Sequence, residues 1–159
     1  MGSRYLSASA LIAVAGVWGA PVAVAQPPPG VPPPGVAAVD AYPLAEGRYT
    51  TTDDYGWVYF KTPDGRSCGV GPNGGPVGCD AVALDAPAGL NQTVVNPWGP
   101  GQHRRSTATT FTRDVDVLPE GHRLENMGAS CAMGFQGAVT CQTYGQRGFV
   151  LSALYTVFW

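Results

Sequence analysis

The chain has 159 residues, of which 22 are glycine and 15 are proline, and only 13% are charged. Nine basic and 11 acidic residues give a formal net charge of −2, with no basic cluster that would neutralise nucleic-acid phosphates. We therefore expect neither a nucleic-acid-binding protein nor a helical one, because glycines and prolines interrupt every candidate helix.

The N-terminal segment has the layout of a signal peptide. Residues 1–25 carry Arg4 near the start, an apolar run at 11–20 and the small-residue sequence Ala23-Val24-Ala25. This layout predicts export to a secreted or cell-envelope location, with cleavage near Ala25 and no integral membrane segment afterwards. The alternative is an uncleaved anchor, since the apolar stretch is about 20 residues long. Its glycines and Pro21 favour cleavage.

Residues 26–43 form a segment rich in proline and glycine. The sequence Pro-Pro-Pro-Gly-Val occurs twice, at 27–31 and 32–36. Because proline lacks an amide donor and favours polyproline II, this segment is predicted to be a disordered linker that holds the following domain off a surface. A disordered tail without that role is the alternative.

The remaining residues, 44–159, are enough for one domain with a modest core. Strand patterns occur at 55–60, in two cysteine-containing stretches, at 107–111, at 115–118 and at 149–159, and residues 84–105 are predicted to be a long loop. The last segment alternates with apolar residues on both faces, which is typical of a central strand. The predicted fold is all-β, a small antiparallel sandwich or barrel.

The first cysteine-containing stretch, residues 65–79, is predicted to be a hairpin. A type I′ turn at Asn73-Gly74 places Cys68 opposite Cys79 and Val70 opposite Val77. Pro72 removes a donor beside this turn, so a wider loop with the same register is the alternative.

The second stretch, residues 128–141, repeats the frame Gly-x-Ser-Cys-x-apolar-Gly and, after a turn, Gly-x-Val-x-Cys. A three-residue loop at 135–137 places Cys131 opposite Cys141. Directly opposed strand residues have Cα separations of roughly 4.5 to 5.5 Å, which a disulfide accepts. The sequence therefore predicts two disulfide-closed hairpins, Cys68–Cys79 and Cys131–Cys141, and an oxidising compartment.

Other uses of the four cysteines are less consistent with their spacing. Four cysteines allow three connectivities, and a bridge from one hairpin to the other stays open. A four-cysteine metal site needs closely spaced Cys-x-x-Cys pairs, which are absent from the sequence, so no metal or other cofactor is expected.

Signals for catalysis are weak. Ser67 lies in a Gly-x-Ser-x-Gly sequence, but no helix pattern follows it, as a nucleophile elbow requires. The two histidines, His103 and His122, are predicted to be surface residues. Acidic residues near His122 suggest either a secreted hydrolase or a weak calcium site, although solvated carboxylates are the simpler interpretation. These residues are Asp114, Asp116, Glu120 and Glu125.

The best candidates for recognition are aromatic. Tyr55, Trp57, Tyr59 and Trp98, together with Tyr49, are more aromatic residues than a small core needs. An exposed row of such side chains would stack on sugar rings or anchor a protein partner. The alternation of the segment 55–60 leaves open which of them are exposed.

Three phrases of the sequence resemble small exported proteins of mycobacteria and related actinobacteria. They are Phe60-Lys-Thr-Pro-Asp-Gly65-Arg-Ser-Cys68-Gly-Val70, Leu118-Pro-Glu-Gly121-His-Arg-Leu124 with the following Gly128-Ala-Ser-Cys131, and Gly148-Phe-Val-Leu-Ser152. The resemblance implies a secreted or envelope location and a β-rich, disulfide-containing fold, and it brings no catalytic residues.

Taken together, these patterns predict an exported, non-enzymatic binding or structural module of the cell envelope or the medium. Its expected partner is a wall glycan or an envelope protein. The alternatives are a secreted hydrolase that uses carboxylates with His122, and a secreted effector that acts on a host partner.

Overall fold

A computed structural model describes residues 31–34 and 36–159. The predicted signal peptide, its cleavage site near Ala25 and residues 26–30 of the predicted linker lie outside the described residues. Within them, no helix has both the length and the apolar character needed to cross a membrane.

The described chain is all-β, as predicted, and forms two antiparallel sheets of five strands each. The strands of the first sheet, the first unit, are β1 (Val58–Lys61), β2 (Ser67–Val70), β3 (Val77–Cys79), β4 (Gln92–Val95) and β5 (Gln102–Arg104). Those of the second unit are β6 (Arg123–Asn126), β7 (Ala129–Met133), β8 (Val139–Gln142), β9 (Gly148–Leu151) and β10 (Thr156–Phe158). Two single 3₁₀ turns, Val39–Ala41 and Phe135–Gly137, are the only helical residues described.

The two units repeat one arrangement. In each, consecutive strands are neighbours, and the disulfide joins the second strand to the third. Strands that hold the same place in the two units lie against each other across the core, for example β2 against β7 and β4 against β9. The inward rows match position by position: Phe60, Cys68, Cys79, Thr93 and His103 in the first unit, and Leu124, Cys131, Cys141, Phe149 and Phe158 in the second. The molecule is a sandwich rather than a barrel, and its internal repeat covers five strands where the sequence indicated two.

Both predicted hairpins and both disulfides are confirmed. The Cα atoms of Cys68 and Cys79 are 4.0 Å apart, and those of Cys131 and Cys141 are 4.1 Å apart. All four sulfur-bearing side chains are buried in one apolar cluster that the two sheets share. The bridges therefore fix the central strands of each sheet from inside the core.

The turns of these hairpins also follow the prediction. Asn73 and Gly74 have φ of 59° and 79°, the positive values that a type I′ turn requires. Regular pairing nevertheless ends at Gly71 and Pro76, so this loop is wider than two residues while its register is the predicted one. In the second hairpin Gly137 has φ of 76°, the left-handed conformation expected there.

Five predicted elements are wrong in whole or in part. Residues 149–159 are not one strand but the hairpin β9–β10, because Ser152 accepts and donates hydrogen bonds that turn the chain at 152–155. Residues 84–105 are not a long loop, since they contain β4 and β5. In residues 55–60, only Val58 onwards belongs to a strand.

The predicted strands at 107–111 and 115–118 are instead parts of a strap, residues 106–118, that crosses the outer face of the first sheet. Phe111 lies over Gly69 and Gly78, whose missing side chains leave room for its ring. The Asp80 carboxylate accepts hydrogen bonds from the backbone N–H groups of Thr110 and Phe111, at 3.1 and 2.8 Å. Within the strap only Val117 forms a strand-like bridge, to Lys61 at the end of β1.

A second segment crosses the outer face of the second sheet in the same way. Val39 is only 3% exposed and lies against β7 and β8. Arg123 donates through Nε to the Tyr42 carbonyl oxygen at 2.9 Å, and Leu44 bridges to Arg123 in parallel. Residues 39–43, which were predicted to belong to the linker, are thus part of the folded domain.

Candidate binding surface

Five turns meet at one end of the sandwich, which we call the loop end. They comprise residues 53–56, 71–76, 96–101, 127–128 and 143–147. The backbone N–H of Tyr144 donates to the Gly74 carbonyl oxygen at 2.9 Å, and that of Asn73 donates to the Met127 sulfur at 3.2 Å. The turn after β2 is thereby fixed to two turns of the other unit.

Asn126, at the end of β6, joins a further turn to this end. Its side-chain amide lies 2.7 Å from the Gly56 carbonyl oxygen, 3.1 Å from that of Val70 and 3.0 Å from that of Gly71. Pro97, in the turn after β4, packs on Gly75 and Gly145, positions where a side chain would collide with it. Each turn of the loop end is therefore held by contacts to another.

The loop end presents large apolar side chains to solvent. Tyr55 is 99% exposed, Trp98 83%, Tyr144 67% and Met127 63%. Exposed large apolar side chains grouped at one place are typical of interaction sites, and aromatic residues and methionine are enriched where proteins bind partners. This end therefore has the composition of a binding surface on a rigid scaffold.

A polar cavity of about 170 Å³ lies beside Tyr144. Ser130 and Gln142, which face each other on β7 and β8, form its floor, and Asp40 and Gln146 line it from either side. Thus the loop end combines exposed aromatic area with a recess that has hydrogen-bonding groups, the usual features of a recognition site.

The aromatic residues predicted from the sequence divide into two groups. Tyr55 and Trp98 are exposed at the loop end, whereas Tyr59 is 2% exposed and Trp57 is partly covered. Tyr49 is buried, and its hydroxyl donates to the Val117 carbonyl oxygen at 3.2 Å. The predicted row of exposed aromatic residues is therefore incomplete, because Tyr59 and Tyr49 are inaccessible.

Tyr59 and Trp57 belong to a structural cluster on the outer face of the first sheet. Their rings stack at 5.6 Å, and the Arg113 guanidinium lies 4.8 Å above the Tyr59 ring. Arg113 also pairs with Asp54, with Nη2 to Oδ1 at 3.2 Å. The hydrogen bond from Arg113 lowers the pKa of Asp54, and burial raises the pKa of Tyr59. This cluster fastens the strap to the sheet.

The residues considered for a hydrolase are not brought together. His122 has its Nδ1 atom 3.1 Å from the Glu120 carbonyl oxygen. Asp114 forms ion pairs with Arg48 and Lys61 at 3.7 and 3.6 Å. Asp116 accepts from the Arg48 backbone N–H at 2.7 Å, and Glu125 pairs with Arg123 at 2.6 Å. In the described part of the chain, no hydrogen bond or ion pair joins His122 to these carboxylates.

His103 was predicted to lie in a loop. It lies instead on β5, where it faces the core. Its ring lies 5.1 Å from that of Phe158, and Nδ1 is 3.1 Å from the Thr93 hydroxyl. Burial lowers the pKa of His103, and the charge of Asp85 opposes this effect.

The sequence analysis did not identify Met127, Tyr144 or the cavity that Tyr144 borders. An aromatic residue in a turn, between Thr143 and Gly145, was an available signal for Tyr144. The cavity had no such local signal, because it joins residues of β7 and β8 to Asp40, about 90 positions away in the chain.

The chain was compared with known protein families, curated proteins and solved structures. None of the three comparisons found a match.

Proposed function

We propose that the protein is exported and acts in the cell envelope or the medium as a non-enzymatic binding module, with the loop end as its binding surface. The observation that carries this proposal is the exposure of four large apolar side chains on turns that are fixed to one another. Because the turns are held before any partner arrives, binding loses little conformational entropy. The resemblance to small exported actinobacterial proteins and the signal-peptide layout support the location.

Two disulfides support an oxidising compartment. Both are buried between the sheets, where they join strands that are already neighbours. Disulfides of this structural kind persist in exported proteins and are rare in the cytosol. The expected partner is a wall glycan or an envelope protein, since both are accessible to an exported domain.

The opposite end of the sandwich offers a matched comparison. It also exposes apolar side chains, Phe135 and Leu154, which lie together in the turns after β7 and β9. That end has its own recess of about 250 Å³, which includes the polar residues Gln136 and Ser152, but its described lining contains no carboxylate. The cavity at the loop end differs from it in having the charged group of Asp40.

The test is retention of the purified mature chain, residues 26–159, on isolated wall polysaccharide and on solubilised envelope protein. The double variant Trp98→Ala, Tyr144→Ala should lose most of the retained fraction. The double variant Phe135→Ala, Leu154→Ala removes a similar apolar area from the opposite end and should keep it.

Equal losses in both double variants would show adhesion through any apolar surface and contradict the proposal. Failure of the unsubstituted protein to be retained on either material would contradict it as well. Thermal unfolding of each variant separates loss of binding from loss of fold.

A further inference from the structure

The cavity beside Tyr144 has hydrogen-bonding capacity that the protein does not use. The side-chain amides of Gln142 and Gln146 make no hydrogen bond within the described residues. Asp40 has one side-chain contact, the Ser130 hydroxyl at 3.5 Å. A carboxylate, two amides and a hydroxyl thus line one small recess, in which Asp40 and Gln146 are exposed and Gln142 is half-buried, so their polar atoms are open to a ligand from solvent.

The size of the cavity limits its ligand. A cavity of about 170 Å³ lies below the roughly 300 to 1,000 Å³ of sites for drug-sized ligands and suits a single ring. The exposed ring of Tyr144 forms one border, so a ligand that enters would place a face against it.

The charge of the cavity limits the ligand further. Among the described residues that line it, Asp40 is the one carboxylate, and there is no lysine, arginine or histidine. Phosphate, sulfate and uronic acids would therefore meet a negative charge without a compensating cation. A neutral ring with several hydroxyl groups instead matches the carboxylate and the amides, because each hydroxyl both donates and accepts.

We infer that this cavity is a subsite for one neutral sugar ring of a glycan, with Tyr144 stacking on the ring and with Asp40, Gln142 and Gln146 bonding its hydroxyls. This inference rests on the proposed function, since it names the ligand class of the same loop end. It assigns specificity to the cavity and additional contact area to Trp98 and Tyr55.

The test is titration of the purified mature chain with a panel of neutral sugars, namely the methyl pyranosides of glucose, galactose, mannose and N-acetylglucosamine, followed by backbone amide NMR. At least one sugar should shift the amides of residues 128–130 and 142–146 in a saturable way. Tyr144→Ala should weaken that binding about tenfold, the effect of losing a stacking contact, and Gln142→Ala should weaken it by roughly two- to tenfold, the effect of losing a neutral hydrogen bond. Phe135→Ala, at the opposite end, should leave it unchanged.

Gln146 provides a variant with little risk to the fold. Its φ is 59°, a conformation that glycine adopts without strain, so Gln146→Gly removes the amide and keeps the backbone. It should weaken sugar binding while the unfolding temperature stays near that of the unsubstituted protein.

The outcomes separate the two proposals. If envelope material retains the protein but no sugar of the panel shifts these amides, or if the cavity variants bind sugar as well as the unsubstituted protein, the sugar subsite is wrong and the binding module stands. If a sugar binds in the cavity but envelope material does not retain the protein, the subsite stands and the proposed envelope role is wrong.

Discussion

His103 and Phe158 hold equivalent positions in the two five-stranded units, and their rings touch across the sandwich. Each ends the inward row of its unit, on β5 and on β10, and the ring centroids are 5.1 Å apart in an edge-to-face arrangement. The repeat therefore places an aromatic pair where the two edge strands close the core, and the first unit contributes a titratable ring to that pair.

This relationship makes stability depend on pH. Burial lowers the pKa of His103 in the folded state from its ordinary value of 6.5. Between the two pKa values the unfolded chain binds a proton at His103 and the folded chain does not. The contribution of His103 to the free energy of unfolding is therefore fully present above about pH 6.5, and it is lost as the pH falls through the folded-state pKa. We expect the urea midpoint to be lower at pH 5 than at pH 7.

The His103→Gln variant should reduce this difference between pH 5 and pH 7. His122→Gln is the matched control, and it should keep the difference because His103 is still present. An unchanged pH dependence in His103→Gln would show that other groups cause it.

Gly78 should tolerate no side chain. A Cβ atom there would lie 2.6 Å from Phe111 Cζ and 2.7 Å from the Thr93 carbonyl oxygen, which belongs to the backbone of β4 and cannot move aside. We expect Gly78→Ala to lower the free energy of unfolding by about 3 kcal/mol, at the upper end of the usual cost of overpacking. Gly99→Ala, where no atom lies within 4 Å, should change it by less than about 0.5 kcal/mol. Chemical denaturation of the two variants measures both values.

Asp80 holds the strap on the first sheet. Besides the backbone N–H groups of Thr110 and Phe111, its carboxylate accepts from Gln92 at 2.6 Å and from the Thr112 hydroxyl at 2.8 Å. Asp80→Ala should cost about 2 kcal/mol, the range for hydrogen bonds to a charged group, and should speed proteolytic cleavage within 106–118.

For Asp80, the control is Asp53→Ala. The Asp53 carboxylate accepts one hydrogen bond within the described residues, from the Thr52 hydroxyl at 3.4 Å. Removing the Asp53 side chain should therefore have little effect on either measurement. Equal cleavage rates for the strap in the Asp80 variant and in the unsubstituted protein would contradict the role of Asp80.

The two disulfides should contribute similar stability. They close loops of 11 and 10 residues, for which chain-entropy reasoning gives about 3 kcal/mol each. Two double variants remove one disulfide each: Cys68→Ala with Cys79→Ala, and Cys131→Ala with Cys141→Ala. The free energy of unfolding of each, measured by urea denaturation, should fall by about this amount. A loss confined to one of the pairs would show that the equivalence of the units does not extend to their energetics.

Local features of the fold could be predicted from the sequence because they depend on nearby residues. The turns at Asn73-Gly74 and Gly137 determine which cysteines face each other, and the alternation around them determines what is buried. Phe111 shows the limit of such reasoning. Its segment has strand-like composition, yet it binds over Gly69 and Gly78, and the space they leave exists only once the first sheet has formed.

The candidate binding surface was predicted in part for the same reason. Tyr55 and Trp98 lie beside glycines and prolines, which places them in exposed turns. Tyr59 was a candidate whose exposure the alternation with Phe60 left open, and the strap covers its face of the sheet and buries it. The cavity of Asp40 and Gln142 depends on where a distant segment crosses the second sheet, and no local pattern encodes that.

Hydrogen exchange of the protein bound to the envelope fraction that retains it tests the central claim most directly, because it locates the contact on the molecule. The account predicts slower amide exchange on binding at residues 96–101, 126–128 and 143–147, with residues 135–137 and 152–155 unchanged. Protection confined to residues 135–137 and 152–155, or no protection in the bound protein, would contradict it.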